Sequence, residues 1–170
     1  MKKIILIPVL LTMLTTLLVA QDAAVITEIL NKPVADLKDF SYMIASSEGR
    51  SGTPFEAYTF CDRYGSFPYR SAADLPLKAK NVSVFLMKHY EIKGGIFWTI
   101  FKSPRYAFRE LKHTGLWINN RDPDYILSGR DVIRVLGRFY ELYPEVVLQD
   151  PPGAKETAAY FNALLGSEKE

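Results

Sequence analysis

Leu127-Ser128-Gly129-Arg130-Asp131-Val132-Ile133-Arg134-Val135-Leu136-Gly137-Arg138-Phe139-Tyr140 places apolar side chains at 132, 135, 136, 139 and 140, the spacing of one helix face. Ser128 stands where an N-cap belongs, one residue before that pattern begins. Fifty positions earlier the same pattern is present: Leu77, Lys80, Val82, Phe85, Leu86, Lys88 and Tyr90 fall on Leu127, Arg130, Val132, Val135, Leu136, Arg138 and Tyr140. The register extends upstream without a gap. Ala57-Tyr58 falls on Ala107-Phe108, Cys61 on Leu111, Gly65 on Gly115, Phe67 on Trp117 and Asp74 on Asp124; downstream it closes with Ile92 on Leu142. A single offset held over this span marks an internal repeat.

Each copy reads as helix, loop, helix. The first helix is expected over about 54–64 and 104–114, with Pro54 or Pro104 in its first turn and Gly65 or Gly115 as a left-handed C-terminal cap. The second is expected over about 78–90 and 129–142, after a loop of turn-formers such as Asn119-Asn120-Arg121-Asp122-Pro123-Asp124. Lys38-Asp39-Phe40 and Met43-Ile44 follow Arg130-Asp131-Val132 and Val135-Leu136, so 35–46 reads as a further second-type helix. The tail over 154–165, apolar at Ala158, Phe161, Leu164 and Leu165, supplies a candidate first-type partner for it. The expected fold is all-α, with copies over about 54–92 and 104–142 and a split copy at the two ends, arranged as three pairs around a pseudo-threefold axis.

Met1-Lys2-Lys3, an apolar run from Ile4 to Ala20 and then Gln21-Asp22-Ala23-Ala24 have the layout of a secretory signal peptide cleaved after Ala20. The alternative is an uncleaved anchor, since about 17 apolar positions reach the lower limit of a membrane span. Residues 21–170 then form one domain exported to the periplasm or cell envelope. Without Lys2 and Lys3 the 21 basic residues become 19, equal to the 19 acidic ones. That neutrality argues against nucleic acid, which is held mainly through phosphate neutralisation. Cys61, the single cysteine, excludes an intramolecular disulfide and is expected to be a small buried apolar residue.

The second copy resembles the S-layer homology (SLH) repeat. The residues that carry the likeness are Tyr106-Ala107, Glu110-Leu111, Gly115-Leu116 and Leu127-Ser128-Gly129-Arg130-Asp131-Val132. Tyr106 takes the aromatic place, Ser128 the Thr place, Arg130 the Arg place and Asp131 the Glu place; the first copy has Lys78-Ala79-Lys80-Asn81 there. Lys93-Gly94-Gly95 and Arg105-Tyr106-Ala107 also resemble uncharacterised exported proteins of spirochaetes. The resemblance implies a module that holds cell-wall polysaccharide in grooves between repeats, where the motif Arg meets anionic sugar groups.

Catalytic patterns are sparse. His89 and His113 lie in different copies and are expected at the surface or half-buried, and no metal-ligand spacing accompanies them. No catalytic residue, metal site or cofactor is therefore expected, and the chain reads as non-enzymatic. Asn81-Val82-Ser83 matches a glycosylation sequon but falls inside an expected helix. Two binding surfaces remain. Arg130, Arg134 and Arg138 share a helix face and, with Arg105, Tyr106, Arg109, Trp117 and Asp131, form the candidate ligand site for acidic glycan or an acidic partner face. The alternative is a solvated face paired with Glu110, Asp131 and Glu141. Gly94-Gly95-Ile96-Phe97-Trp98-Thr99-Ile100-Phe101 is expected as a short extended piece that either fills the core or exposes Phe97, Trp98 and Phe101 to another envelope protein. A membrane is expected as a partner only if the leader stays attached.

Overall fold

The computed structural model describes residues 23–50, 52–63, 66–67, 71–118 and 122–148. The expected leader over 1–20 and the expected tail partner at 154–165 lie outside the described residues. Within them the chain is all-α. Helix α1 spans 23–31, followed by α2 (Leu37–Ser47), α3 (Pro54–Arg63), α4 (Ala79–His89), α5 (Ile96–Phe101), α6 (Pro104–His113), α7 (Gly129–Leu142) and a 3-10 turn at Pro144–Leu148. The only β pairing among these residues is two isolated bridges, Asp36 with Pro76 and Lys78 with Ile126.

The termini follow the capping chemistry of the sequence. Ser103 accepts from the Tyr106 N–H at 3.5 Å with Pro104 in the first turn of α6. Ser128 and Asp131 close a capping box at α7, the Asp131 N–H donating to the hydroxyl at 3.3 Å and the Ser128 N–H donating to the carboxylate at 3.1 Å. At α2 the Asp36 N–H donates likewise to Asp39, at 3.0 Å. Gly115 takes φ +91°, and the Leu116 N–H reaches back to the Leu111 carbonyl at 2.9 Å. The bond from Ser66 N–H to the Cys61 carbonyl repeats this at α3, at 3.3 Å.

Three backbone segments meet at the centre in a closed cycle. The Leu77 N–H donates to the Ala35 carbonyl (2.8 Å), the Ala35 N–H to the Leu127 carbonyl (2.9 Å), and the Leu127 N–H to the Leu77 carbonyl (2.9 Å). All three residues are fully buried. Each stands two places before a helix, α2, α4 or α7, so the cycle satisfies buried backbone groups and fixes three helix starts at once. At the far end of those helices Glu48, Tyr90 and Tyr140 meet again, each thirteen residues beyond its member of the cycle. The Tyr90 hydroxyl lies 3.3 Å from both the Glu48 carboxylate and the Tyr140 hydroxyl. Between the two ends Phe40, Ile44, Val82, Phe85, Leu86, Val132, Leu136 and Phe139 form the core.

Two features depart from the sequence reading. The tightest helix contacts are α2 with α3 and α4 with α6, so each first-type helix lies on the second-type helix that precedes it rather than on the one joined to it by the loop. Phe67, Ala73 and Leu77, between α3 and α4, are themselves buried, so this connection contributes side chains to the core. Residues 96–101 are a helix, not an extended piece. Trp98 packs into the core over Gly94 and Met87, and that contact outweighs the β-propensity of its neighbours. Lys102, in the left-handed region at φ 43°, ends the helix and turns the chain into α6.

Candidate binding surfaces

The arginines of α7 differ in their surroundings. Arg134 pairs with Asp131 at 2.8 Å and Arg138 with Glu141 at 3.0 Å, both near solvent, where such pairs contribute little stability. Burial alone would raise the Asp131 carboxyl, but the Ser128 hydroxyl and N–H, with Tyr125 and Arg134, hold it below its ordinary value. Arg130 is exposed and has no ion pair among the described residues. Its counterparts at the starts of α2 and α4 are neutralised: Lys38 pairs with Asp74, and Lys80 with Asp124 at 2.6 Å. At the third corner the place of Asp74 and Asp124, three residues before the cycle, belongs to Lys32. The Lys32 carbonyl accepts from the Gly129 N–H at 3.0 Å, while its amine turns to Asp39 at 2.8 Å. Arg130 is thus the one of the three cations with no ion pair among the described residues.

Arg105, Tyr106 and Arg109 stand on α6, which packs on α4, and they belong to a different surface. Tyr106 stacks on Phe97 and on Phe101, with centroids 5.5 Å apart in each case. On α5 the residues Ile96, Phe97, Ile100 and Phe101 are 75%, 59%, 66% and 58% exposed, while Trp98 is buried. Trp117 is buried too, its indole N–H donating to the Ser83 hydroxyl at 2.9 Å. Both tryptophans therefore serve the core. Sequence patterns alone give the spacing of these residues but not which side of α5 faces inward.

Sequence reasoning missed a buried polar cluster. His89 is buried, not half-exposed, with one ring nitrogen 2.8 Å from Glu48 and the other 3.2 Å from the Ser66 hydroxyl. This has the composition of a nucleophile, base and carboxylate set. Ser66 is only 1% exposed, and the cluster cross-links the end of α2, α4 and the residue three places after α3. A cleft of about 360 Å³ between α2 and α3 is lined by Tyr42, Arg50, Glu56 and Phe60, with the Arg50 guanidinium 4.0 Å above the Phe60 ring. Among the described residues no group of three or more His, Cys, Asp or Glu is placed to hold a metal ion, and no helix is long and apolar enough to cross a membrane.

Cys61 is buried as its sequence context suggested, and burial pushes its thiol up from 9.0 to about 12. The folded state thus keeps a proton that the unfolded chain releases above pH 9.0, so this group's contribution to stability falls as pH rises from there towards about 12. The expected result is no reaction with a thiol reagent at pH 8 in the folded protein and complete reaction in guanidinium. A thiol that reacts rapidly in the native state contradicts its placement.

No protein-family model matches the chain, and neither a curated protein nor a solved structure matches it.

Proposed function

We propose that this chain is a non-catalytic binding module of the cell envelope, built on an SLH-like three-unit plan in permuted order. It binds an anionic wall polysaccharide at the α7 corner. The supporting observation is Arg130: the two equivalent lysines are matched by Asp74 and Asp124, whereas Arg130 is exposed and has no carboxylate partner among the described residues. An arginine fork in that setting suits carboxylate or phosphate groups on sugars. The Asp131 carboxylate holds Arg134 one turn on, which extends the cationic edge along the helix.

The test is co-sedimentation of the protein with purified cell-wall material. Binding is expected to fall about tenfold in a variant carrying Arg130→Ala and Arg134→Ala, and to weaken with salt. Lys80→Ala, which removes a cation already paired with Asp124, is expected to leave binding nearly unchanged. Failure of the unaltered protein to sediment with any wall fraction contradicts the proposal.

A second reading, an adaptor that docks through α5, is favoured by the exposure of Phe97 and Phe101. Trp98 then acts as the anchor that holds the platform in place rather than as a contact.

A further inference from the structure

Helix α5 has six residues, of which Trp98 is buried and four large apolar ones are exposed. Isolated exposed apolar residues are ordinary, but a contiguous group marks an interaction surface. Tyr106 widens the group by stacking on both phenylalanines. Cations stand around it: Lys93 before the helix, Lys102 at its C-terminal end, and Arg105 and Arg109 on α6 beside Tyr106, all exposed and without an ion pair among the described residues. The nearby acidic groups are Glu91, two residues before Lys93, and Glu110, whose carboxylate approaches Gly95.

We infer that α5 inserts into the surface of an anionic phospholipid bilayer. The inference rests on the second reading above, that α5 is the docking surface, and names its occupant. Two alternatives fit less well. A second copy of this chain would set Lys93, Lys102, Arg105 and Arg109 against the same four cations. A folded protein partner would have to set carboxylates at four matching places against Lys93, Lys102, Arg105 and Arg109, whereas headgroup phosphates are mobile and meet such cations anywhere on the surface. A bilayer takes an exposed apolar group bordered by cations, with Ile96, Phe97, Ile100 and Phe101 in the acyl boundary and the long basic side chains reaching headgroup phosphates. Each such cation contributes about 1 kcal/mol at an anionic surface, or roughly fivefold in affinity.

The experiment uses the full chain with Ile100→Cys labelled by an environment-sensitive fluorophore; buried Cys61 stays unlabelled. Vesicles of equal parts phosphatidylglycerol and phosphatidylcholine are added. The expected result is a blue shift at position 100, with none from a label at Asp62→Cys, exposed on α3. Because the signal comes from α5, attachment through the N-terminal apolar run does not mimic it. Lys102→Ala combined with Arg105→Ala is expected to weaken the response about tenfold or more, and phosphatidylcholine alone to give a much smaller one. A label that stays in water with anionic vesicles overturns the inference. If an envelope protein fraction shifts the label while vesicles do not, the lipid occupant is overturned and the docking surface stands. A label already in apolar surroundings before any addition overturns it as well, because α5 is then covered within the protein itself.

Discussion

Gly129→Ala is expected to destabilise the protein by about 3 kcal/mol, near the upper end of what overpacking costs. A β-carbon at this position would fall 1.7 Å from the Ile29 carbonyl oxygen and 2.7 Å from its carbon. Those are backbone atoms at the end of α1, so no side-chain rotation relieves the contact. Gly129 also donates its N–H to the Lys32 carbonyl, which ties the start of α7 to the chain just before the cycle. Eight residues along the same helix, Gly137 has nothing within 4 Å of its would-be β-carbon. Gly137→Ala is therefore expected to stabilise by about 0.5–1 kcal/mol through helix propensity and a less flexible unfolded chain. Urea unfolding of the two variants gives opposite shifts in midpoint; equal shifts contradict the packing of α1 against α7.

His89→Phe is expected to cost about 3 kcal/mol. The ring stacks on Phe85, at 4.8 Å between centroids, and phenylalanine preserves that shape. What it removes are the bonds to Glu48 and Ser66, leaving a buried hydroxyl and a largely buried carboxylate short of partners. Glu48 keeps a weaker contact with Tyr90 and an ion pair with Arg50 at 3.4 Å, which bounds the loss. Adding Glu48→Leu to His89→Phe is expected to cost less than Glu48→Leu alone, the non-additivity of groups in one network. A cost under about 1 kcal/mol for His89→Phe, smaller than one buried unsatisfied group, contradicts the role of this cluster in joining the helix ends.

Much of the helical plan was legible because local signals agreed with one another. Pro104, Ser128 and Gly115 each act within a single turn of chain, so their places at helix ends could be read from spacing, while the partners Ser103 and Asp131 came with the structure. Helix α1 left a usable signal that the sequence reading passed over: Val25, Ile26, Ile29 and Leu30 are spaced along one helix face. Other features depend on contacts between distant segments. The helical state of α5 comes from Trp98 packing on Met87 and Gly94, and nothing in a run of β-branched and aromatic residues announces it. His89 looked like any lone histidine until Glu48, forty-one positions away, was brought beside it. The Arg stripe was visible, but its division into paired Arg134 and Arg138 and an Arg130 with no ion pair among the described residues follows from Asp131, Glu141 and the presence of Lys32 at the third corner.

Both proposed surfaces are positioned by the same frame, in which α2, α4 and α7 start from one closed cycle of backbone hydrogen bonds. Native-state hydrogen exchange at the amides of Ala35, Leu77 and Leu127 tests that frame directly. The three amides are predicted to be among the slowest in the protein and to exchange only with global unfolding, sharing one free energy of opening. Fast exchange at any one of them, or three clearly different opening energies, would show that the cycle is not closed and would contradict the account.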